Sequence, residues 1–434
     1  MVVLVVAATG VLAVRLAGPT PSSRPAAVAD RGDRGDRGDR GDQTVSGVGD
    51  PTERDRATAL TSLLVGRANA LLRRDRAGFL AGVDPGTPFH RRQADLFDAL
   101  AGVPLSDVSY DFDAGAAMEL PPAAARRYSG PTWGGVVRLR YALTGYDTEP
   151  TTQEQYLTFV QRGGRWYLAS DDDFTVAGQR SARGLWDFGP VVAVRTPRVL
   201  VLGHPRSLGL MRQILAVTDA AVPRVSAVWP DWSRKAVVLV PDSAAELRQV
   251  VVHTGNLSRL AAVATADVGV DGGAPTGRRV AVNPAQFRSL SAFGRRVVLQ
   301  HELTHVATRA VTSANTPYWL AEGFADYVAY RGADTTVAAA AEELRADVAA
   351  GRVPTRLPTA ADFAGDNPRL PQAYEMSWLA CRLIAARIGA AGLVRLYRTV
   401  SESGDPEAAL ARELQMTMAE FVAAWRADIR RELA

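Results

Sequence analysis

The apolar positions of this chain change their period along its length, and each change predicts a different kind of element. From about residue 52, Leu60, Leu63, Leu64, Leu71 and Leu72 recur at three- and four-residue spacing, which predicts one helix, and Leu96, Phe97 and Leu100 mark a second. The period then falls to two. Val137, Leu139, Tyr141 and Leu143 alternate with Arg138 and Arg140, Tyr156 to Val160 follow, and a Gly163-Gly164 turn leads into Arg165 to Leu168. That pattern predicts a hairpin-rich antiparallel sheet. From about residue 186 the pattern changes again. Arg198 to Leu202 and Ala236 to Val240 are short apolar strands, each leading into a helix-like stretch; Arg279 to Val282 is a further strand, and a helix begins near Ser291. Sheet first and helices after, as far as Ala434, predicts an α+β domain over 186–434, preceded by a smaller α+β domain over 52–180.

The start of the chain has no such periodicity. Met1 to Val14 carry no charge and Arg15 follows, so residues 1–18 read as a signal anchor, although the apolar run is shorter than the ~20 residues that span a bilayer. The expectation is a single-pass protein of the cell membrane with its folded part outside the cytoplasm. Cleavage near Ala27-Val28-Ala29 would instead give a secreted product. Residues 19–51 read as a disordered linker. Within it, 31–42 repeat Arg-Gly-Asp four times with no apolar residue to bury, which suits a solvated spacer better than an adhesion signal.

Composition narrows the chemistry. The 434 residues are 47% hydrophobic, enough for two or three cores. A net charge of +4 from 50 basic and 46 acidic residues gives no reason to propose a nucleic-acid partner. Cys381 is the single cysteine and lies in an apolar stretch, so neither an internal disulfide nor a thiolate metal cluster can form. Any metal must be held by His, Asp or Glu.

Those residue types occur at one informative spacing. His301-Glu302-Leu303-Thr304-His305 is an HExxH pattern, and Leu299, Leu303, Val306 and Ala310 form an apolar stripe that places it on a helix. Two imidazoles one turn apart can grip a single Zn²⁺, while Glu302 is placed to take a proton from water. A third ligand is needed. Thr308 and Val311 stand where a metzincin carries Gly and His, and His90, His204 and His253 have no metal-ligand spacing. Downstream, Thr316 suits an N-cap and Pro317 a first helical turn, so a returning helix should carry Glu322 and Asp326 on one face. Glu322 can then complete the zinc site, with Asp326 accepting the free ring N–H of a ligating histidine. The Arg279 to Val282 strand offers a sheet edge along which an extended peptide could lie.

HELTH followed by WLAEGFADY resembles the glutamate-zincins, of which thermolysin is the familiar example, and most closely the peptidase MA-like proteins; the resemblance covers roughly residues 195 to 430. It implies a zincin-like catalytic domain with one zinc per chain on His301, His305 and Glu322, Glu302 as general base and then acid, and Asp326 orienting a histidine. It further implies that Tyr374, in Gln372-Ala373-Tyr374-Glu375, donates to the oxyanion, simple packing being the other reading of that residue. The expected substrate is a peptide or protein. The element order of 52–180 is similar to the nuclear-transport-factor-two-like fold, which often carries a pocket. Two further readings stay open: an amidase of cell-wall fragments, or a silent zinc domain with an amino-terminal binding module.

Overall fold

A computed structural model describes residues 51–251, 260–267 and 276–434. The expected anchor, residues 19–50 of the expected linker and His253 lie outside the described residues. Among the described residues no helix is long and apolar enough to cross a membrane.

The amino-terminal part consists of α1 (Pro51–Leu72), α2 (Arg76–Leu80), α3 (Pro88–Ala99), β1 (Leu105–Phe112), α4 (Pro122–Ala125), β2 (Thr132–Leu143), β3 (Thr151–Arg162) and β4 (Arg165–Ser170). The helix starts follow local chemistry. Asp75 accepts from Gly78 N and Thr87 accepts from His90 N, with Pro88 in the first turn of α3. The four strands pair antiparallel in the order β1-β2-β3-β4. Gly163 and Gly164 both take positive φ, 55° and 77°, as a two-residue hairpin turn requires. The sequence pattern did not reveal β1, and its irregularity explains why: Asp107 sits at φ 53° and the pairing register shifts between Ser106 and Ser109, which breaks the alternation.

The second sheet contains β5 (Val192–Arg195), β6 (Val199–Gly203), β7 (Ala236–Val240), β8 (Ala262–Asp267) and β9 (Thr276–Val282); α5 (Leu208–Ser226) follows β6 and α6 (Ala244–Val250) follows β7. The order is β5-β6-β7-β9-β8, with parallel pairing through the centre and antiparallel strands at both ends. Burial on both faces accounts for the unbroken apolar runs of β6 and β7. Val199, Val201, Val238 and Val280 share a core with the helices, whereas Leu200, Leu202 and Val237 pack with Leu71, Phe97 and Tyr141 of the amino-terminal part. The two parts are also joined by a buried bidentate ion pair, Arg279 to Asp147 at 2.6 and 2.7 Å. This topology corrects the edge reading. Arg279 to Val282 lie in β9, an interior strand, and the edge on that side of the sheet is β8, which the sequence pattern did not mark.

Helices complete the chain: α7 (Pro284–Ser289), α8 (Ala292–Thr308), α9 (Tyr318–Tyr330), α10 (Val337–Ala340), α11 (Glu342–Ala349), α12 (Leu370–Ser403), α13 (Pro406–Leu414) and α14 (Met418–Leu433). The molecule is therefore of mixed α+β class. Helix α12 bends at Gly389, whose φ of 76° interrupts the helical path. Pro371 stands in the first turn of α12, so it opens this helix and does not break a preceding one.

Candidate metal centre

Helix α8 begins where Ser291 accepts a hydrogen bond from Gly294 N, and every residue from Val297 to Thr308 is buried. The apolar stripe on Leu299, Leu303 and Val306 is inside, but Ala310 lies past the end of the helix and is exposed. One turn separates His301 from His305, and their Nε2 atoms face each other at 3.0 Å. The 308–317 segment then turns the chain back. Thr316 does not cap α9 as its position suggested: Pro317 occupies the N-cap, and Thr316 accepts from Ser313 N and donates to Ser401 Oγ at 2.8 Å. That bond ties the returning segment to α12.

Helix α9 brings in the carboxylates. Glu322 Oε2 lies 3.3 Å from His301 Nε2 and 3.5 Å from His305 Nε2, and Asp326 Oδ1 lies 2.7 Å from His301 Nδ1. Gln300 fixes α8 against α9 by donating to Val328 O at 2.6 Å. The spacing of α9 and α12 depends on Gly323. A Cβ there would stand 2.2 Å from Ser377 O and 2.9 Å from Cys381 Sγ, so only glycine lets α12 approach this closely beside Glu322. Cys381 itself is a buried packing residue.

Glu302 points elsewhere. Its Oε2 accepts from Ala264 N of the edge strand β8 at 2.7 Å, while among the described residues Oε1 has no hydrogen-bond partner, although the side chain is only 1% exposed. A buried carboxylate oxygen without a donor is costly unless a water or another ligand fills the place. Tyr374, near the start of α12, presents its ring edge-on to His301, with centroids 6.2 Å apart, and packs against Phe363.

The donor set fits a divalent cation. Three ligand atoms from His301, His305 and Glu322 converge, and their separations of 3.0, 3.3 and 3.5 Å bracket the edge of about 3.4 Å of a tetrahedron with Zn–ligand bonds of about 2.0–2.1 Å. Three carboxylates, Glu302, Glu322 and Asp326, are buried around two imidazoles, a negative excess that a cation offsets. The bond from His301 Nδ1 to Asp326 leaves the Nε2 lone pair for a metal.

The same charges set the protonation states. Burial works against charge on His301, but Asp326 and Glu322 outweigh it and hold its pKa well above the ordinary value, so a metal at Nε2 would have to displace a proton there. Burial would also raise Glu322, yet His305 and His301 pull it down to about 2. Burial raises Glu302 against the pull of the two histidines. Tyr374 is pushed far up by burial and then by Glu322, Asp326 and Glu302, so its hydroxyl keeps its proton.

His204, set aside by spacing, belongs to a second convergence with Asp242 and Glu246. Its members are already engaged with one another and their neighbours. His204 bonds Pro190 O through Nδ1 and Glu246 through Nε2, Asp242 pairs with Arg206 and Ser207, and Glu246 accepts from Asp242 N. That network ties β6 to the start of α6. His90 lies on α3 and, among the described residues, joins neither cluster.

No protein-family profile and no curated protein sequence matches the chain. Among solved structures it is similar to a variant of an M1 zinc metallopeptidase from Deinococcus radiodurans bound to a Tyr-Ser-Ala substrate, at 14% identity and a TM-score of 0.30, over 70% of this chain and 61% of that one. The chain thus spans less than two thirds of that enzyme's length, and a superposition this slight carries no inference about fold.

Proposed function

We propose that this chain is a zinc-dependent metallopeptidase that hydrolyses peptide bonds, with one zinc held by His301, His305 and Glu322 and with residues 1–18 anchoring it to a cell membrane, the folded part outside the cytoplasm. The observation that carries the reading is the burial, in one place, of three converging ligand atoms beside a fourth side chain, Glu302, whose Oε1 has no donor among the described residues. When bound, zinc supplies Lewis acidity to a water and to the scissile carbonyl.

The chain's own residues do the rest. Glu302 takes a proton from the attacking water at Oε1 and passes it to the leaving amine nitrogen, for which a carboxyl raised by burial is suited. Asp326 fixes the ring orientation of His301. The Tyr374 hydroxyl, kept protonated by burial and by the surrounding carboxylates, donates to the oxyanion of the tetrahedral intermediate. Edge strand β8 runs beside Glu302, as its Ala264 amide bond attests, and offers backbone groups to an extended peptide.

The test is metal content with peptide-library cleavage by the full chain and by Glu322→Ala. The expected result is one zinc per native chain with peptide cleavage, and zinc and cleavage lost together in Glu322→Ala. Equal zinc in both proteins would remove Glu322 from the ligand set, and turnover of cell-wall amides without any peptide would transfer the site to an amidase.

A further inference from the structure

The amino-terminal part encloses a cavity that plays no part in the proposed peptide hydrolysis. It lies between the helices and the first sheet, and the space within it, open mouth included, is about 740 Å³. Its walls are mostly apolar, with Phe79, Phe89, Val108, Leu157 and Trp186 among them. Arg67, from α1, also lines this cavity, and it is only 7% exposed.

The surroundings of Arg67 are unusual for a buried cation. Its guanidinium stacks 3.6 Å from the centre of the Phe79 ring, donates to Phe79 O and to Tyr110 Oη, each at 3.3 Å, and donates to Gln93 Oε1. All of these acceptors are neutral, and among the described residues no carboxylate lies within 4.0 Å of it. A buried charge without a counter-charge is costly, so an anion arriving here gains more than it would at an exposed arginine.

The neighbours point the same way. Arg67 takes Gln93 Oε1 and so turns the Gln93 amide nitrogen the other way, where no described residue accepts from it. Tyr110 receives from Arg67 Nε, and its own O–H likewise has no acceptor among the described residues. Arginine, glutamine and tyrosine thus bring N–H and O–H donors to one wall of an apolar chamber. Two carboxylates also border the cavity: Asp171 Oδ2 and Asp187 pair with Arg183 at 2.6 and 3.3 Å, while Asp171 Oδ1, which has no hydrogen-bond partner among the described residues, lies 3.5 Å from Arg92.

We propose that this cavity binds a small amphipathic organic anion, its carboxylate on Arg67, Gln93 and Tyr110 and its apolar body against the aromatic and aliphatic walls. The two requirements are independent: the apolar volume selects the body and the unmatched guanidinium selects the charge of the head. A neutral molecule of the same shape leaves Arg67 without a counter-ion, and a cationic one adds repulsion to the same loss.

The experiment measures binding of decanoate, decanol and decylamine to the zinc-loaded full chain by calorimetry and by thermal shift. Decanoate is expected to bind about tenfold or more tightly than decanol, with decylamine weakest, because a hydrogen-bonded charge pair in a desolvated site is worth at least that factor. In Arg67→Met the preference for decanoate over decanol should vanish, and in Gln93→Leu, which leaves the guanidinium in place, it should fall partway. Equal binding of decanoate and decanol to the native chain, absence of decanoate binding at millimolar concentration, or an Arg67→Met variant that keeps the full preference would each overturn the proposal. Because the three-ligand comparison is made on the native chain, a variant that failed to fold would not shield the proposal.

Discussion

Around His301, three carboxylates are buried beside two imidazoles; around Arg67, one guanidinium is buried beside neutral acceptors only. The first region carries an excess of negative charge and converging lone pairs, and the second a guanidinium without a counter-charge of its own and N–H and O–H donors brought to one cavity wall. Opposite charge imbalances therefore point to opposite occupants: a cation in one place, an organic anion in the other. They also differ in mechanical support. The metal centre is held by helix-to-helix contact on α8, α9 and α12, with Gly323 and Gln300 setting the distances, whereas the cavity lies beneath a sheet whose first strand is bulged at Ser106–Ser109.

That contrast can be broken in several places. With Glu302 and the three ligands left in place, the largest effect belongs to Asp326→Asn, which keeps the shape but weakens the hold on the His301 tautomer. Zinc affinity should fall about 10–100-fold, read by competition with a chelator, while decanoate binding at Arg67 stays as it was. A parallel fall in both would mean that the two regions are coupled. Next in size is Gly323→Ala. Its added methyl meets Ser377 O and should cost about 2 kcal/mol of stability through overpacking, with weaker zinc retention because Glu322 is the preceding residue. Denaturation midpoints would show it, and an unchanged midpoint would mean that α12 yields freely.

The smallest effect is one of pH, away from both regions. Contact with Glu246 raises the pKa of His204, which bonds Glu246 at 2.7 Å and Pro190 O at 2.9 Å. A histidine held more basic in the folded state stabilises it fully below the ordinary value near 6.5 and loses that contribution as pH climbs through the raised value. The melting temperature of the native chain should therefore drop relative to His204→Gln as pH rises above about 6.5, by roughly 1–2 °C if the pair is worth about 1 kcal/mol. A gap that widens with pH would reverse the sign and remove the imidazolium from this contact.

The two regions also differ in how much of each could be read from the amino-acid sequence. The meeting of His301, His305 and Glu322 is encoded locally. Two residues one turn apart share a helix face, and a second helix returns within a short loop, so spacing alone brings the side chains into one neighbourhood. The details that needed three dimensions were missed: Ala264 reaching Glu302 from β8, the tie from Thr316 to Ser401, and the close approach at Gly323. For Gly323 a signal existed, since a glycine inside a strongly apolar helix asks for a packing reason. The Arg67 cavity left no comparable trace. Arg67, Gln93 and Tyr110 come from two helices and a bulged strand with no common period, and Arg67 in the sequence is one of many arginines. Strand order was likewise hidden, because β9 is inserted between β7 and β8 and nothing in the apolar run of Arg279 to Val282 distinguishes an interior strand from an edge.

The central claim is that Glu302 moves the proton in a zinc-dependent cleavage of peptide bonds. The direct measurement is single-turnover hydrolysis of a peptide library by zinc-loaded full chain and by zinc-loaded Glu302→Gln, with zinc counted in both samples. One zinc is expected in each protein, with cleavage slowed by about 10²–10⁴-fold or more in the variant and its fold unchanged. Native-like cleavage by Glu302→Gln, or stoichiometric zinc in a native chain that cuts no peptide, would contradict it.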